Sequence, residues 1–237
     1  MENQYNIQII IPVYNESEVI LTLINNIINK LKIKFNILIA YDFENDRTLE
    51  ILNKSSHRNK IQFVKNKSHG PNSAILTAVE KIEAEFFVVY MADDFNNIDL
   101  IEKMYNFNQT NNFIYDAIIP SRFINGGRME NCPFPKNIIV RFGNKLLNFF
   151  LGDITDATNA FKLFKTKPFR KIDLVSKEGF VFALEAIIKL KMNGSKFYEM
   201  PSYWLERTNG KSNFKIIKWL PYYSYWLFYI GLKKIFK

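Results

Sequence analysis

With one cysteine, Cys132, the chain has no internal disulfide to staple it, and that scarcity fits a reducing compartment. No basic stretch followed by a long apolar one stands at its start, so a secretory leader is not expected. A long apolar run is missing at the other end too. The charge-free stretch Trp219–Leu232 counts 14 residues, about 21 Å as a helix against about 30 Å of membrane hydrocarbon. Acids are absent from the same region. Arg207, Lys211, Lys215, Lys218, Lys233, Lys234 and Lys237 stand there with no Asp or Glu among them. Neither a helix-turn-helix pattern nor an interleaved aromatic and basic strand motif is recognisable, so basic charge by itself does not make a nucleic-acid binder.

What is present suits one sizeable α/β domain, or one with an appendage. The 237 residues are 48% hydrophobic and 16% aromatic, ample for a core. A net charge of +9, from 32 Lys+Arg against 23 Asp+Glu, points to an anionic partner such as a phosphorylated substrate or a lipid surface.

The centre of the pattern is Phe86-Phe87-Val88-Val89-Tyr90-Met91-Ala92-Asp93-Asp94-Phe95-Asn96-Asn97. Its apolar part reads as a buried parallel strand, the fourth in order. Carboxylates at the carboxyl end of such a strand sit where α/β sheets bind ligands, and they can hold a hard divalent cation. The plainer alternative is a turn that caps the next helix. Before it, Ile7–Val13, Phe35–Tyr41 and Ile61–Val64 read as strands. Helices follow from Asn15-Glu16-Ser17, from Asp46 to Leu52 with Asp46 as N-cap, and from the turn at Gly70 through Ala74 and Ile82. Such alternation predicts right-handed crossovers and a mostly parallel sheet. Asn15/Glu16, Asp42, the Gly70 turn and Asp94 would then share one sheet edge.

Ile11-Pro12-Val13-Tyr14-Asn15-Glu16 resembles the opening signature of family-2 glycosyltransferases, and the chain is similar to the dolichyl-phosphate mannose synthase branch over about residues 7 to 213. The resemblance implies the nucleotide-diphospho-sugar transferase (GT-A) fold: α/β, with a mostly parallel central sheet flanked by helices and a C-terminal interfacial helix. It divides the chain into a catalytic domain over 1–212 and a basic, aromatic, membrane-associating tail over 213–237. Pro12, Tyr14, Glu16, Asp42 and Gly70 would bind the nucleotide sugar. Asp46 and Thr48 match the end of the block that contains Asp42, whose Gly-Ser centre is replaced by Phe43-Glu44.

The family's Asp-x-Asp-x-Gln places fall here on Ala92, Asp94 and Asn96. The resemblance therefore assigns Mg²⁺ or Mn²⁺ to Asp94 with Asn96, and Asp93 stands in for the missing carboxylate. Side-chain alternation along a strand would aim Asp94 with position 92 and turn Asp93 away.

In the second half, Asp116–Pro120 reads as a strand leading to Ser121-Arg122-Phe123 and Gly126-Gly127. Lys136–Leu151 has the pattern of a basic amphipathic helix, suited to a membrane interface or to a core face. By resemblance, Arg122, Lys136 and Arg141 hold an acceptor phosphate. Asp156, in Asp156-Ala157-Thr158-Asn159-Ala160-Phe161-Lys162, is the carboxylate nearest the reacting carbon. Arg207 and Lys211, in an Arg-x-x-Gly-x-Ser run, face the departing diphosphate. Glu185 and Glu199 read as structural. The Trp- and Tyr-rich tail suits an interface, or packing on the core or on a second copy of the chain.

The implied activity is inverting transfer of a sugar from a nucleotide-diphosphate sugar to a polyprenyl phosphate, at the cytoplasmic face of a membrane with peripheral or monotopic attachment. A glycan hydroxyl acceptor, which needs a base, and a nucleotide-sugar binding protein without turnover remain as alternatives.

Overall fold

The computed structural model describes residues 4–205 and 216–235, with side chains of the last helix described over 218–233. Strand β1 (Ile7–Val13) is buried on both sides: Ile7, Ile9 and Ile11 serve one core cluster and Ile10 the other. It pairs in parallel with β2 (Phe35–Tyr41) and with β4 (Phe86–Val89), while β3 (Ile61–Lys65) extends β2 in parallel. Beyond β4 the direction breaks. Strand β7 (Lys162–Lys165) runs antiparallel to β4 and to β5 (Ala117–Ser121), and β8 (Phe197–Pro201) joins β5 in parallel. The seven-stranded order is β3-β2-β1-β4-β7-β5-β8, with a separate pair of β6 (Arg128–Glu130) and β9 (Tyr203–Leu205).

Helices cover both faces. Helix α1 (Ile20–Lys30) buries Ile20, Leu23, Ile24 and Ile27, a three- and four-residue spacing that makes one apolar stripe. With α2 (Arg47–Asn53) and α4 (Ile98–Thr110) it fills the cluster around Ile9 and Val88. The other face takes α3 (Pro71–Val79), α5 (Phe134–Leu151), the short α6 (Thr166–Phe169), α7 (Phe182–Met192) and part of α8 (Ile216–Ile235). α8 packs against α5 and α7, and Phe150 lies against Gly231 at the α5 crossing.

Trp226 is buried, and its indole N–H donates to Ser176 Oγ at 2.9 Å. Ser176 is a junction. Its carbonyl accepts from Asn72 of α3 (2.6 Å), and its N–H donates to Glu185 of α7 (2.7 Å). Glu185, fully buried, also accepts from Val175 N and meets Lys189 at 2.7 Å, which gives it the structural role expected of it. No helix of the described residues is long and apolar enough to cross a membrane.

Three expectations need adjusting. α1 begins at Ile20, after a turn over 17–19, because Asn15 takes a left-handed φ of 55° and delays the helix. α3 stops at Val79, although Ile82 is still buried. β4 ends at Val89, so Ala92–Asp94 lies on a turn closed by Asp94 N–H to Met91 O (3.2 Å) rather than on a strand. Strand alternation therefore does not set the directions of these side chains. Ala92 is buried, Asp94 half-buried and Asp93 exposed.

Candidate active site

Because β1, β2, β3 and β4 all run the same way, the loops that follow them gather on one edge of the sheet. The order reverses at β1, with β2 on one side and β4 on the other. That is the crevice position for ligands in open α/β sheets. Pro12 sits within β1 opposite Ala40, and Tyr14 follows it, 55% exposed.

Hydrogen bonds knit the rim together. Asn15 N–H donates to Asp46 Oδ2 (2.9 Å), and Glu16 N–H donates to Thr48 Oγ1 (2.9 Å). Asp46 Oδ1 accepts from Thr48 N–H at 2.8 Å, the N-cap bond expected for α2. Asp42 accepts from Asn66 Nδ2 (2.6 Å) and from Gly70 N–H (2.8 Å), so it fixes the turn before α3. At Gly70 φ is 87° and a Cβ would meet nothing within 4 Å; backbone conformation, not space, calls for glycine there.

Asp94 stands beside β1's loop at the end of β4. Its Oδ1 accepts from Asn96 N–H (2.9 Å), Asn97 N–H (3.1 Å) and Asn97 Nδ2 (3.0 Å); among the described residues Oδ2 accepts from Asn97 Nδ2 (2.8 Å). The turn role weighed for this carboxylate is realised at Oδ1. A carboxylate oxygen accepts about two bonds, so Oδ2 keeps capacity for one more partner. Burial raises the Asp94 pKa, opposed by the bonds from Asn97 and Asn96. The buried Tyr90 hydroxyl faces Asp94; burial and then the Asp94 charge push its pKa up. Asn97 reaches further: Nδ2 donates to Tyr203 O (2.6 Å) and Oδ1 accepts from Tyr203 N–H (3.1 Å), tying the Asp94 turn to β9. Beside it a cleft of about 460 Å³ is lined by Asn96, Lys103, Gly126, Gly127, Arg128 and Tyr203, among others. Among the described residues no three His, Cys, Asp or Glu side chains form a metal-holding group.

The second half is organised by buried charge. Arg122 Nε and Nη2 donate to Asp156 Oδ2 and Oδ1, both at 2.7 Å, and Arg122 N–H adds a bond to Oδ2 at 3.1 Å. Asp156 is fully buried and the Arg122 side chain only 11% exposed. Glu199 holds the same loop, accepting from Thr155 N–H (2.9 Å), Thr155 Oγ1 (2.8 Å) and Asp156 N–H (3.0 Å). Burial raises its pKa against the pull of those bonds. This agrees with its structural reading. The guanidinium groups of Arg122 (5.2 Å) and Arg141 (5.4 Å) both approach the Phe123 ring, and Lys136 sits 4.6 Å from the Trp204 ring. Arg122, Arg141 and Lys136 thus stand by aromatic rings that follow β5 and lie within β9. Arg207 and Lys211 lie outside the described residues.

Lys162 had drawn no role from the sequence beyond a change at the end of its motif. It is fully buried at the start of β7, donating to Ala157 O at 3.2 Å and to Asn159 O. Burial lowers its pKa to about 7, with Asp156 pulling the other way. A lysine directly before the apolar pair Leu163-Phe164 was the available signal. Asn97 and Phe43 carried none: an amide after an acidic turn and a loop aromatic are common.

Comparison with known proteins fits this architecture. The family model for glycosyl transferase family 2 matches residues 8–173. A dolichol-phosphate mannosyltransferase from Pyrococcus furiosus is 28% identical over 214 residues, which cover 88% of this chain and 59% of that protein. A polyprenol monophosphomannose synthase from Mycolicibacterium smegmatis is 28% identical over 117 residues, 44% of each chain. The chain thus spans 59% and 44% of these curated relatives. Glucosyl-3-phosphoglycerate synthase from Mycobacterium tuberculosis, solved with Mn²⁺, uridine diphosphate and phosphoglyceric acid, superposes with a TM-score of 0.68 at 11% identity, covering 97% of this chain and 78% of that one. The shared architecture is the GT-A fold expected from the opening motif. With 166 of its 237 residues (8 to 173) matched, the chain belongs to glycosyl transferase family 2.

Proposed function

We propose that this glycosyltransferase moves a sugar, with inversion, from a nucleotide-diphosphate sugar to a polyprenyl phosphate at a membrane surface. The observation that carries the reading is the contrast in how its two motif carboxylates are bonded. A sugar hydroxyl acceptor needs a base near the anomeric carbon. Asp156, the carboxylate placed there by resemblance, is fully buried and bound twice by Arg122, so it is poorly placed to take a proton. A phosphate acceptor is already ionised and needs cations to hold it, which Arg122, Lys136 and Arg141 supply. Arg122 keeps three of its five N–H donors free of Asp156 side-chain bonds.

On the donor side, Pro12, Tyr14, Glu16, Asp42 and Gly70 would line the nucleotide, and Asp93 and Lys211 would lie along it. A divalent cation, Mg²⁺ or Mn²⁺, would be held by Asp94 Oδ2 and Asn96. The donor set is thin, one open carboxylate oxygen and an amide, but it suits a cation that arrives with the diphosphate and takes its other ligands from phosphate and water. When bound it would offset charge on the departing diphosphate. Arg207 would add a bidentate cation to the same end. The relatives named for dolichol- and polyprenol-linked transfer support the lipid acceptor, and the Mn²⁺ of the structural neighbour supports the metal.

Membrane attachment rests on two helices. α5 leaves Phe134, Ile138, Phe142 and Phe149 exposed, at 51% or more, with Arg141 and Lys145 beside them. α8 buries Trp226 but exposes Tyr225, Phe228 and Leu232. Exposed apolar stripes with basic neighbours suit an interface in which the helix lies flat. The attachment would be peripheral or monotopic, on the cytoplasmic face.

The test is transfer of radiolabelled sugar from GDP- and UDP-sugars, with Mn²⁺, to vesicles containing polyprenyl phosphate. Label in the organic phase is the expected result. Label found on an added glycan but not on lipid would replace the acceptor, and equal, near-zero donor hydrolysis by the wild type and Asp94→Ala would leave a binding protein without turnover.

A further inference from the structure

We propose that Phe43 and His69 form a stacking platform for the base of a nucleoside diphosphate. The inference deepens the donor reading above and rests on it. Phe43 follows Asp42 at the end of β2 and is 43% exposed, belonging to neither core cluster. Packing does not account for an aromatic ring there. Its ring stacks on that of His69, with centroids 5.5 Å apart and planes 22° from parallel, and meets Tyr14 edge-on at 6.1 Å. The loops after β1, β2 and β3 thus each contribute one ring to a single exposed strip.

The backbone beneath the strip is fixed. Phe43 O accepts from Asp46 N–H (3.2 Å), and the neighbouring Asp42 holds Gly70 N–H, next to His69. A platform built this way needs little ordering when a ring settles on it. Its place also fits. β2 is two strands from β4 in the sheet order, a spacing of about 10 Å, so a ribose and diphosphate bridge from the strip to Asp94. Every nucleobase has a π-face, so stacking supplies affinity with little choice among bases. A partner protein or a plain apolar cover would use the same rings differently, and the test separates them.

The measurement is calorimetric titration of the full chain, with Mn²⁺, by GDP, UDP and inorganic pyrophosphate. Wild type should bind both nucleotides more tightly than pyrophosphate. Phe43→Ala and Phe43→Leu should each weaken both nucleotides about tenfold or more and leave pyrophosphate unchanged. Phe43→Tyr, which keeps the π-face, should bind as wild type, and His69→Ala should show a smaller loss. Thermal melting of each variant reports folding separately. Unchanged or tighter nucleotide binding by Phe43→Ala overturns the platform, as does an equal loss of nucleotide and pyrophosphate. Wild type binding pyrophosphate as tightly as nucleotide overturns it too while the cation-and-diphosphate site stands. Wild type binding none of the three overturns the donor reading and the platform together.

Discussion

Asp94 and Asp156 invite comparison, because each belongs to a motif at the carboxyl edge of the sheet and their surroundings are opposite. Asp94 is half-buried and held by neutral amides, with one oxygen bonded to a single amide among the described residues. Asp156 is fully buried and spends both oxygens on a guanidinium. The first arrangement leaves room for a ligand; the second holds a cation in place. Two aspartates of equal prominence in sequence thus divide into a carboxylate held by amides, with one oxygen lightly used, and a scaffold for Arg122.

Substituting Asp156 should have the largest effect. Asp156→Ala strands Arg122 in a buried site, and unfolding in urea should show a loss of about 3–5 kcal/mol. A double-mutant cycle with Arg122→Met should recover part of it, and strict additivity would mean the pair is not coupled. Asp94→Ala should do the reverse. Stability should fall by only about 1 kcal/mol, as for loss of a turn-capping carboxylate. Sugar transfer should fall about a hundredfold or more, since cation stabilisation of a leaving group is worth several kcal/mol. If Asp94→Ala costs more stability than activity, the comparison fails.

A third test concerns the charge cluster behind Asp156. Lys162, facing Asp156, Arg122 and Glu199, has a folded pKa near 7 against an ordinary 10.5. Below pH 7 both folded and unfolded chains bind its proton and the penalty is whole. Between about 7 and 10.5 only the unfolded chain keeps the proton, so stability should rise with pH, by about 2 kcal/mol from pH 7 to 9. Lys162→Met should remove that rise, read as the difference between the two denaturation profiles. The mildest expectation is at the surface. Phe142→Ala and Phe228→Ala should change stability within about 0.5 kcal/mol. Each should weaken sedimentation with anionic vesicles about tenfold, from about 1.5 kcal/mol per buried Phe.

Much of the first half was legible because local chemistry decided it. β1 and β2 fall on their expected residues, and Asp46 caps α2 through its own loop. The rim follows from parallel strand direction alone. The second half was less legible, since its features depend on partners far apart in sequence. Nothing near Arg122 announces Asp156, 34 residues on, and nothing near Asn97 announces Tyr203, 106 residues away. The turn at Ala92–Asp94 misled for a related reason: a hydrophobic run tells where burial continues, not where the ladder of a strand stops. The tail read as an interface segment ahead of a core one, and α8 faces both ways, with Trp226 inward and Phe228 outward.

Ser176 has a mechanical consequence. One serine receives Trp226 from the last helix, Asn72 from the helix after the Gly70 turn, and binds Glu185 from a third. The tail is therefore a handle bolted to α3, the helix that the Gly70 turn begins, and to α7. Tilting one against the other means breaking that knot, so a load on the last helix is carried to the Gly70 turn through a single residue.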